Sequence, residues 1–271
     1  MTISPQRILV VTALAVTSAW LLVLAVWHEA PFALTFDDAF YYFGIARNVA
    51  HGHGSTFDGI NLTNGYHPLW MLLAVPVFLL GFDGTGAVRL LLGVQLLCFG
   101  GALVLVAVVA GRAIGDWGRL RAARPDDGAR AGRWCTALVA AVLAVLAANP
   151  YMVKIFANGL ESGVLVVIDA AVLAVGAAVG GRFLGRLTRR PRVGLGLLLA
   201  LAFLARTDSV FLLAALGLWA LAEARPLGRR AVGPLAELFG PAVVVIVAYL
   251  VSNQLWFDIP IQISGLTKRA P

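Results

Sequence analysis

The stretch Val88–Ala110 reads VRLLLGVQLLCFGGALVLVAVVA and contains a single charged residue, Arg89. A helix that spans a bilayer needs about 20 mostly apolar residues, and this stretch meets that requirement. Of the 271 residues in the chain, 60% are hydrophobic and only 13% are charged, whereas globular chains average roughly 45–50% apolar and about 25% charged residues. The composition excludes a water-soluble globular domain and predicts an all-α polytopic membrane protein.

Other apolar stretches fall into two groups by length. Four are predicted to span the membrane with Val88–Ala110: Ile8–Trp27, Trp134–Ala148, Gly163–Gly180 and Val232–Leu255. Three are too short to be assigned by length alone: Pro68–Leu80, Val193–Ala205 and Ser209–Ala222. The first span is not expected to be a signal peptide, because its apolar core is too long and no small-residue cleavage site follows it.

Most of the 21 lysines and arginines lie in three clusters, within residues 112–133, 182–192 and 225–230. Short cytoplasmic loops of membrane proteins collect basic residues. We therefore expect these clusters and Arg7 to face the cytoplasm. The net charge of +7 then reflects membrane orientation and contact with anionic membrane lipids, and no nucleic-acid partner is predicted.

This orientation assigns the three short stretches. Pro68–Leu80 is expected to be a re-entrant or juxtamembrane helix on the outer side, because a full crossing there would place the first basic cluster outside. Val193–Ala205 and Ser209–Ala222 are expected to form a hairpin, since basic loops flank both ends. The chain is thus predicted to be a single transmembrane domain, residues 1–271, of about seven transmembrane helices. Its amino terminus is cytoplasmic, and its outer face gathers residues 28–67, 149–162, 206–208 and 257–271.

The outer loop of residues 28–67 contains an acidic pair, Asp37 and Asp38. Thr35 stands three residues before Asp38, as in a capping box, so we expect a helix to begin here and to end at Gly52. The pair could stabilise the positive end of that helix. Alternatively, one carboxylate could be a general base that deprotonates a hydroxyl group.

Histidines in the same loop admit two interpretations. His51 and His53 could add ligands for a divalent metal ion, or they could be ordinary loop residues between glycines. We assign no metal ligands, and a divalent ion is left open as a possible cofactor. His67 is expected to contact a substrate or the acidic pair.

Several motifs resemble those of a known enzyme superfamily. Asp37-Asp-Ala-Phe-Tyr-Tyr42, Gly52-x-Gly54 and Thr63-Asn-Gly-Tyr-His-Pro-Leu-Trp70 resemble the first outer loop of bacterial membrane glycosyltransferases of the GT-C superfamily, most closely RgtA/B/C/D-like and mannosyl- or arabinosyltransferase-like proteins. Three later segments are also similar to family motifs: Asn158-Gly-Leu-Glu-Ser162, Leu204-Ala-Arg-Thr-Asp208 and residues 257–268.

The resemblance implies a function. Such enzymes take a sugar from a polyprenyl-phosphate donor and transfer it to a glycan, lipid or protein acceptor of the cell envelope. The active face lies outside a bacterial-type inner membrane, and the reaction is expected to invert the anomeric centre. An acidic residue of the first outer loop acts in catalysis, and by resemblance this role falls on Asp37 or Asp38, with Asp38 preferred.

Transfer from a lipid phosphate also needs cations that stabilise the departing phosphate. Arg206 and Lys268 are the residues we expect to bind it. A charged side chain between two half-length helices is costly unless it is paired or hydrated, so Arg206 could instead form a structural ion pair with Asp208. The other residues expected to line the cavity are His67, Asn64, Tyr66, Glu161 and Asp208.

Two departures from the family pattern are visible. Thr207 stands where proline is common, and the chain ends at Pro271, whereas relatives continue with further helices. The likeness is thus to the amino-terminal half of the family, and the usual carboxyl-terminal part is absent. Two other functions stay open: a transporter or lipid flippase that uses Asp169, Arg206 and Asp208 at mid-depth, and a non-catalytic membrane subunit.

Overall fold

The computed structural model describes residues 4–121 and 125–263. Of these residues 82% are helical, and none of them lies in a β-strand. The helices are α1 (Pro5–Val26), α2 (Ala30–Leu34), α3 (Asp37–Ala50), α4 (Pro68–Leu79), α5 (Gly84–Arg121), α6 (Pro125–Ala148), α7 (Pro150–Phe156), α8 (Ser162–Val179), α9 (Phe183–Arg186), α10 (Arg189–Ala205), α11 (Val210–Ala224) and α12 (Val232–Phe257). The prediction of an all-α fold is confirmed.

Five stretches of the described chain are long and apolar enough to cross a membrane: Pro5–Val26, Gly84–Trp117, Arg130–Ala148, Ser162–Val179 and Thr207–Phe257. The last of these contains α11 and α12, and its backbone departs from helical geometry at Gly228, with φ 53° and ψ −134°. The helix α4, in the predicted re-entrant stretch, is apolar but only 12 residues long. The protein therefore has the architecture of a multi-pass helical membrane protein.

The chain divides into two compact units. The first unit comprises Met1–Thr35 and Val88–Ala178, and the second comprises Phe36–Ala87 and Val179–Pro271. Each unit is thus assembled from two separate stretches of the chain. Hydrogen bonds and close helix packing stabilise each unit internally.

In the first unit, α1 packs against α6, and the indole Nε1 of Trp20 donates a hydrogen bond to the carbonyl of Ala147 at 3.0 Å. The end of α1 is capped by Arg89 of α5. Its guanidinium donates to the carbonyl oxygens of Leu24, Trp27 and His28. The last carbonyls of a helix have no partner within the helix. Arg89 gives one to Leu24 in the last turn of α1 and to the two residues that follow the helix, and so fixes α5 against the end of α1.

In the second unit, α10 packs closely against α12, and α4 packs against both α3 and α10. Gly196 of α10 lies directly on the backbone of α12, where an added Cβ would overlap the carbonyl oxygen of Leu238 and approach Pro241 Cγ to 3.1 Å. Small residues allow such close approach between helices in a membrane. The absence of a side chain at Gly196 therefore sets the spacing of α10 and α12.

The outer-loop helix α3 exists as predicted, but it begins differently. Its N-cap residue is Phe36, whose side chain makes no capping hydrogen bond. The hydroxyl of Thr35 donates to the carbonyl of Pro31 in the first turn of α2. The predicted capping box is wrong because α3 begins one residue later than it requires, so Phe36 and not Thr35 is the N-cap residue. The helix ends at Ala50, just before Gly52, which has a φ of 78°.

Candidate functional site

The acidic pair lies in the first turn of α3. Both side chains are exposed, and the carboxylate of Asp37 accepts a hydrogen bond from the backbone N–H of Asp38 at 3.0 Å. The pair is therefore open to solvent and positioned where the helix dipole favours negative charge.

The loop that follows α3 is folded tightly upon itself. The Asp58 carboxylate accepts hydrogen bonds from the backbone N–H groups of Ile60 and Asn61 at 2.9 and 2.8 Å, and from the side chains of Thr56 and Asn61. These hydrogen bonds hold the pKa of Asp58 well below its usual range. The amide of Asn48 on α3 donates to the carbonyl of Thr56 at 2.8 Å, so the loop is attached to the helix that carries the acidic pair.

Asn64 connects this loop to the distant end of the chain. Its Nδ2 donates to Asn253 Oδ1 of α12 and to the carbonyl of Ile261, both at 3.1 Å. Its Oδ1 accepts from the backbone N–H of Ile263 at 3.0 Å. Asn64 is only 3% exposed. Its buried amide is satisfied by protein groups, as a buried polar side chain must be, so Asn64 fastens the loop to α12 and to the segment that follows it.

The next residues of the loop contact the same segment. The hydroxyl of Tyr66 lies 2.7 Å from Ser55 Oγ, and burial raises the pKa of that tyrosine. The ring Nδ1 of His67 lies 3.0 Å from Nε2 of Gln262. His67 is also the N-cap residue of α4. Tyr66 and His67 are thereby held between the loop, the start of α4 and the end of the described chain.

Arg206 and Asp208 lie at the turn between α10 and α11. The Nε of Arg206 is 3.0 Å from each carboxylate oxygen of Asp208, and the two side chains are 44% and 56% exposed. The ion pair left open by the sequence is therefore formed. Burial lowers the pKa of His67 to about 4, the positive charge of Arg206 adds to this effect and the Asp208 carboxylate opposes it. The three side chains thus share one electrostatic environment.

The second unit brings together five of the expected site residues, namely Asn64, Tyr66, His67, Arg206 and Asp208. Asp37 and Asp38 belong to the same unit, on α3. Lys268, the second expected phosphate ligand, lies outside the described residues.

Glu161 belongs to the first unit, in the turn before α8, and is 5% exposed. That turn is held by Gln95 of α5, which is fully buried. The Oε1 of Gln95 accepts from the N–H of Gly159 at 2.8 Å, and its Nε2 donates to the carbonyl of Leu160. Glu161 stands directly before α8, at a helix start where the dipole favours an acidic residue.

The histidines of the outer loop are the metal ligands that the sequence left open. His51 and His53 are exposed, with ring centroids 6.2 Å apart. Their Nδ1 atoms face the carbonyl of Arg47 and the side chain of Asn48. In the part of the chain that the structure describes, no three His, Cys, Asp or Glu side chains are grouped so that they could hold a metal ion.

The residues of these networks that were not predicted include three amides: Gln95, Asn253 and Gln262. The first two are amides inside apolar helices, α5 and α12. A buried polar side chain in a membrane helix needs a partner, so their positions alone could have marked them as anchors. Gln262 carries no comparable signal, because the residues around it are mixed in polarity.

Comparisons with known proteins identify no relative of this chain. No protein-family model matches it, no curated protein is similar to it, and no solved structure matches it. Functional inference therefore depends on the residues and their geometry.

Proposed function

We propose that the protein is an integral-membrane glycosyltransferase of the GT-C type. It moves a sugar from a polyprenyl-phosphate donor to a glycan, lipid or protein acceptor of the cell envelope. The proposed arrangement is about seven transmembrane helices in a bacterial-type inner membrane, with the amino terminus in the cytoplasm and the active face outside.

The proposal is supported by a group of polar side chains in the second unit. Polar residues from three separate stretches of the second unit lie near one another: His67 of the loop, Arg206 and Asp208 of the turn after α10, and Gln262, which follows α12. A structural turn needs no such convergence of a histidine, a cation and a carboxylate. An enzyme that handles a lipid-linked phosphate needs donors and cations at a membrane surface, and this group supplies both.

The proposed reaction is a single displacement. An acceptor oxygen attacks the anomeric carbon while the bond from that carbon to the phosphate oxygen breaks. The bonding electron pair leaves with the polyprenyl phosphate, and the acceptor's proton passes to Asp38, with Asp37 as its neighbour or replacement. Arg206 and Lys268 bind the phosphate as negative charge develops on it. Arg206 is suited to this role because a guanidinium binds phosphate with paired N–H donors.

The decisive experiment replaces both aspartates. Asp37→Asn with Asp38→Asn, in the full chain reconstituted with synthetic polyprenyl-phosphate sugars and an acceptor mixture, should abolish product formation scored by mass. Membrane insertion should be retained, since both side chains are exposed. Asp83→Asn is the matched control, because Asp83 is an exposed carboxylate of the same unit that pairs with Arg47 at 2.9 Å. Full activity in the double variant would refute the base assignment.

A further inference from the structure

The side-chain amide of Gln262 contacts two acceptor positions at once. Its Nε2 lies 2.5 Å from the carbonyl oxygen of Tyr66 and 3.0 Å from Nδ1 of His67. A carbonyl oxygen only accepts hydrogen bonds, so the NH₂ group and not the oxygen of Gln262 must lie here. One N–H then points to Tyr66 and the other to the imidazole. His67 Nδ1 must therefore be an unprotonated acceptor.

The segment around Gln262 is held on both sides. The carbonyl of Ile261 accepts from Asn64 Nδ2, and the N–H of Ile263 donates to Asn64 Oδ1. Asn64 is in turn anchored to Asn253 of α12. Hydrogen bonds therefore fix the backbone on both sides of Gln262, and the position of its amide next to the imidazole is defined. A fixed partner on one ring nitrogen determines the tautomer of a histidine.

The charged and titratable groups near the imidazole are consistent with a neutral ring. Arg206 and Asp208 face it from the turn after α10, Tyr66 precedes it in the loop, and Tyr249 of α12 interacts electrostatically with Tyr66. Burial and the charge of Arg206 lower the pKa of His67 to about 4, with Asp208 acting in the opposite direction. Near pH 7 the ring therefore carries one proton.

We propose that Gln262 is a positioning residue whose amide fixes His67 in the tautomer with its proton on Nε2, so that His67 serves the site as a neutral hydrogen-bond donor. This assignment makes His67 neither a base at Nδ1 nor a cation. A preorganised neutral donor stabilises phosphate oxygens as negative charge develops on them. The tautomer stands on the geometry alone, whereas the donor role rests on the proposed function.

The tautomer can be measured directly. The chain has 4 histidines, so ¹⁵N-histidine labelling of the full protein in detergent gives few signals, and His67→Asn identifies those of His67. We expect Nδ1 of His67 to be unprotonated and Nε2 to be protonated at pH 7. In Gln262→Glu the carboxylate should draw the proton to Nδ1, and in Gln262→Leu the two tautomers should mix.

The control is Gln254→Glu, the same change at an exposed position of α12, which should leave the His67 signals unchanged. A proton on Nδ1 in the wild-type protein would overturn the proposal. So would identical His67 signals in the wild type, Gln262→Glu and Gln262→Leu, because the amide would then not determine the tautomer.

Transfer assays separate this proposal from the proposed function. If the wild type transfers sugar, Gln262→Glu should lower kcat by about tenfold or more, as loss of a histidine's orienting partner does elsewhere, and should displace the acidic limb of the pH profile. Gln254→Glu should stay within about twofold of the wild type. An unchanged kcat and pH profile in Gln262→Glu would refute the donor role. Wild-type protein with the expected tautomer but no transfer would refute the proposed function and leave the tautomer intact.

Discussion

In each of the two units, a side-chain amide of an apolar helix forms hydrogen bonds to a polar turn or loop. The two turns differ in the groups that they carry. In the first, Gln95 of α5 bonds the backbone of Gly159 and Leu160. In the second, Asn253 of α12 bonds Asn64. Each anchor is an amide in an apolar helix. The bond to a turn gives both amide groups of Gln95 a partner. In Asn253 it gives the oxygen a partner, while the buried Nδ2 has none among the described residues.

The groups attached to the two turns differ. The turn held by Gln95 leads to Glu161, which is 5% exposed. The loop held by Asn253 leads to His67, near Arg206 and Asp208, whose side chains are 44% and 56% exposed. One amide anchor thus closes a buried turn, and the other holds a loop whose His67 lies near charged groups that a substrate can reach. Substitutions should therefore separate stability from activity between the two units.

The largest expected effect is on activity in the second unit. Arg206→Gln should lower the rate of sugar transfer by roughly 10²–10³-fold, as does the loss of one group that stabilises developing charge. The free energy of unfolding of this variant should hardly change, because a partly exposed ion pair contributes about 0–1 kcal/mol. Transfer kinetics and thermal unfolding of the same preparations measure both.

Arg47→Gln is the control for that substitution, since Arg47 forms a similarly exposed pair with Asp83. It should leave transfer within about twofold of the wild type while removing an equivalent charge. If both arginine variants lose activity equally, net charge and not position is responsible, and the assignment of Arg206 to the phosphate fails.

The next effect is on stability in the first unit. Gln95→Leu should lower the free energy of unfolding by about 2–4 kcal/mol, because it leaves the buried N–H of Gly159 and the carbonyl of Leu160 without their partner. Denaturant or thermal unfolding in detergent measures it. Gln254→Leu, at an exposed position of α12, should change stability by less than about 0.5 kcal/mol. Equal stability of the two variants would show that Gln95 is not an anchor.

The third prediction concerns acid. His67 has a pKa of about 4 when folded and 6.5 as its reference value, so between these pH values the unfolded chain binds a proton that the folded chain does not. Stability should therefore fall as pH drops from 6.5 to about 4 and then level off. The loss should be about 3 kcal/mol at most, at about 1.4 kcal/mol per pH unit.

Unfolding midpoints across that pH range provide the measurement. His67→Gln should flatten the dependence, whereas His51→Gln, at an exposed position, should not. An identical pH dependence in His67→Gln would mean that another group is responsible.

The smallest expected effect is a change in hydrogen exchange within the loop that follows α3. Asp58→Ala removes the acceptor of the backbone N–H groups of Ile60 and Asn61, so hydrogen exchange at those two amides should accelerate. The amide of Gly159 in the first unit should exchange as before. If exchange at Ile60 and Asn61 is unchanged, the carboxylate does not maintain this loop, and the second unit needs only its Asn253 anchor.

Much of the fold could be predicted from the sequence, because bilayer thickness imposes a length on every spanning helix. The stretch Val88–Ala110 lies inside α5, and Val232–Leu255 inside α12. The start of α3 could not be assigned correctly. Thr35 and Phe36 are adjacent, and the sequence pattern does not determine which of them is the N-cap residue.

The candidate site was predictable only in part. The motifs pointed to His67, Arg206 and Asp208, and the ion pair is local in sequence. The partners of Asn64 are not local: Asn253 is 189 residues away and Ile263 is 199 residues away. Spacing and hydropathy report only on neighbours along the chain. They cannot predict a hydrogen bond between a loop and a helix that are so far apart in the sequence.

Gly196 gives the molecule a point of low mutational tolerance far from its charged groups. Any residue with a Cβ would collide with the backbone at Leu238 and force α10 and α12 apart. Since α10 ends beside Arg206 and α12 carries Asn253, the disturbance would reach both. In a saturation library, Gly196→Ala should score like a damaged site residue, although nothing chemical distinguishes a glycine in an apolar helix.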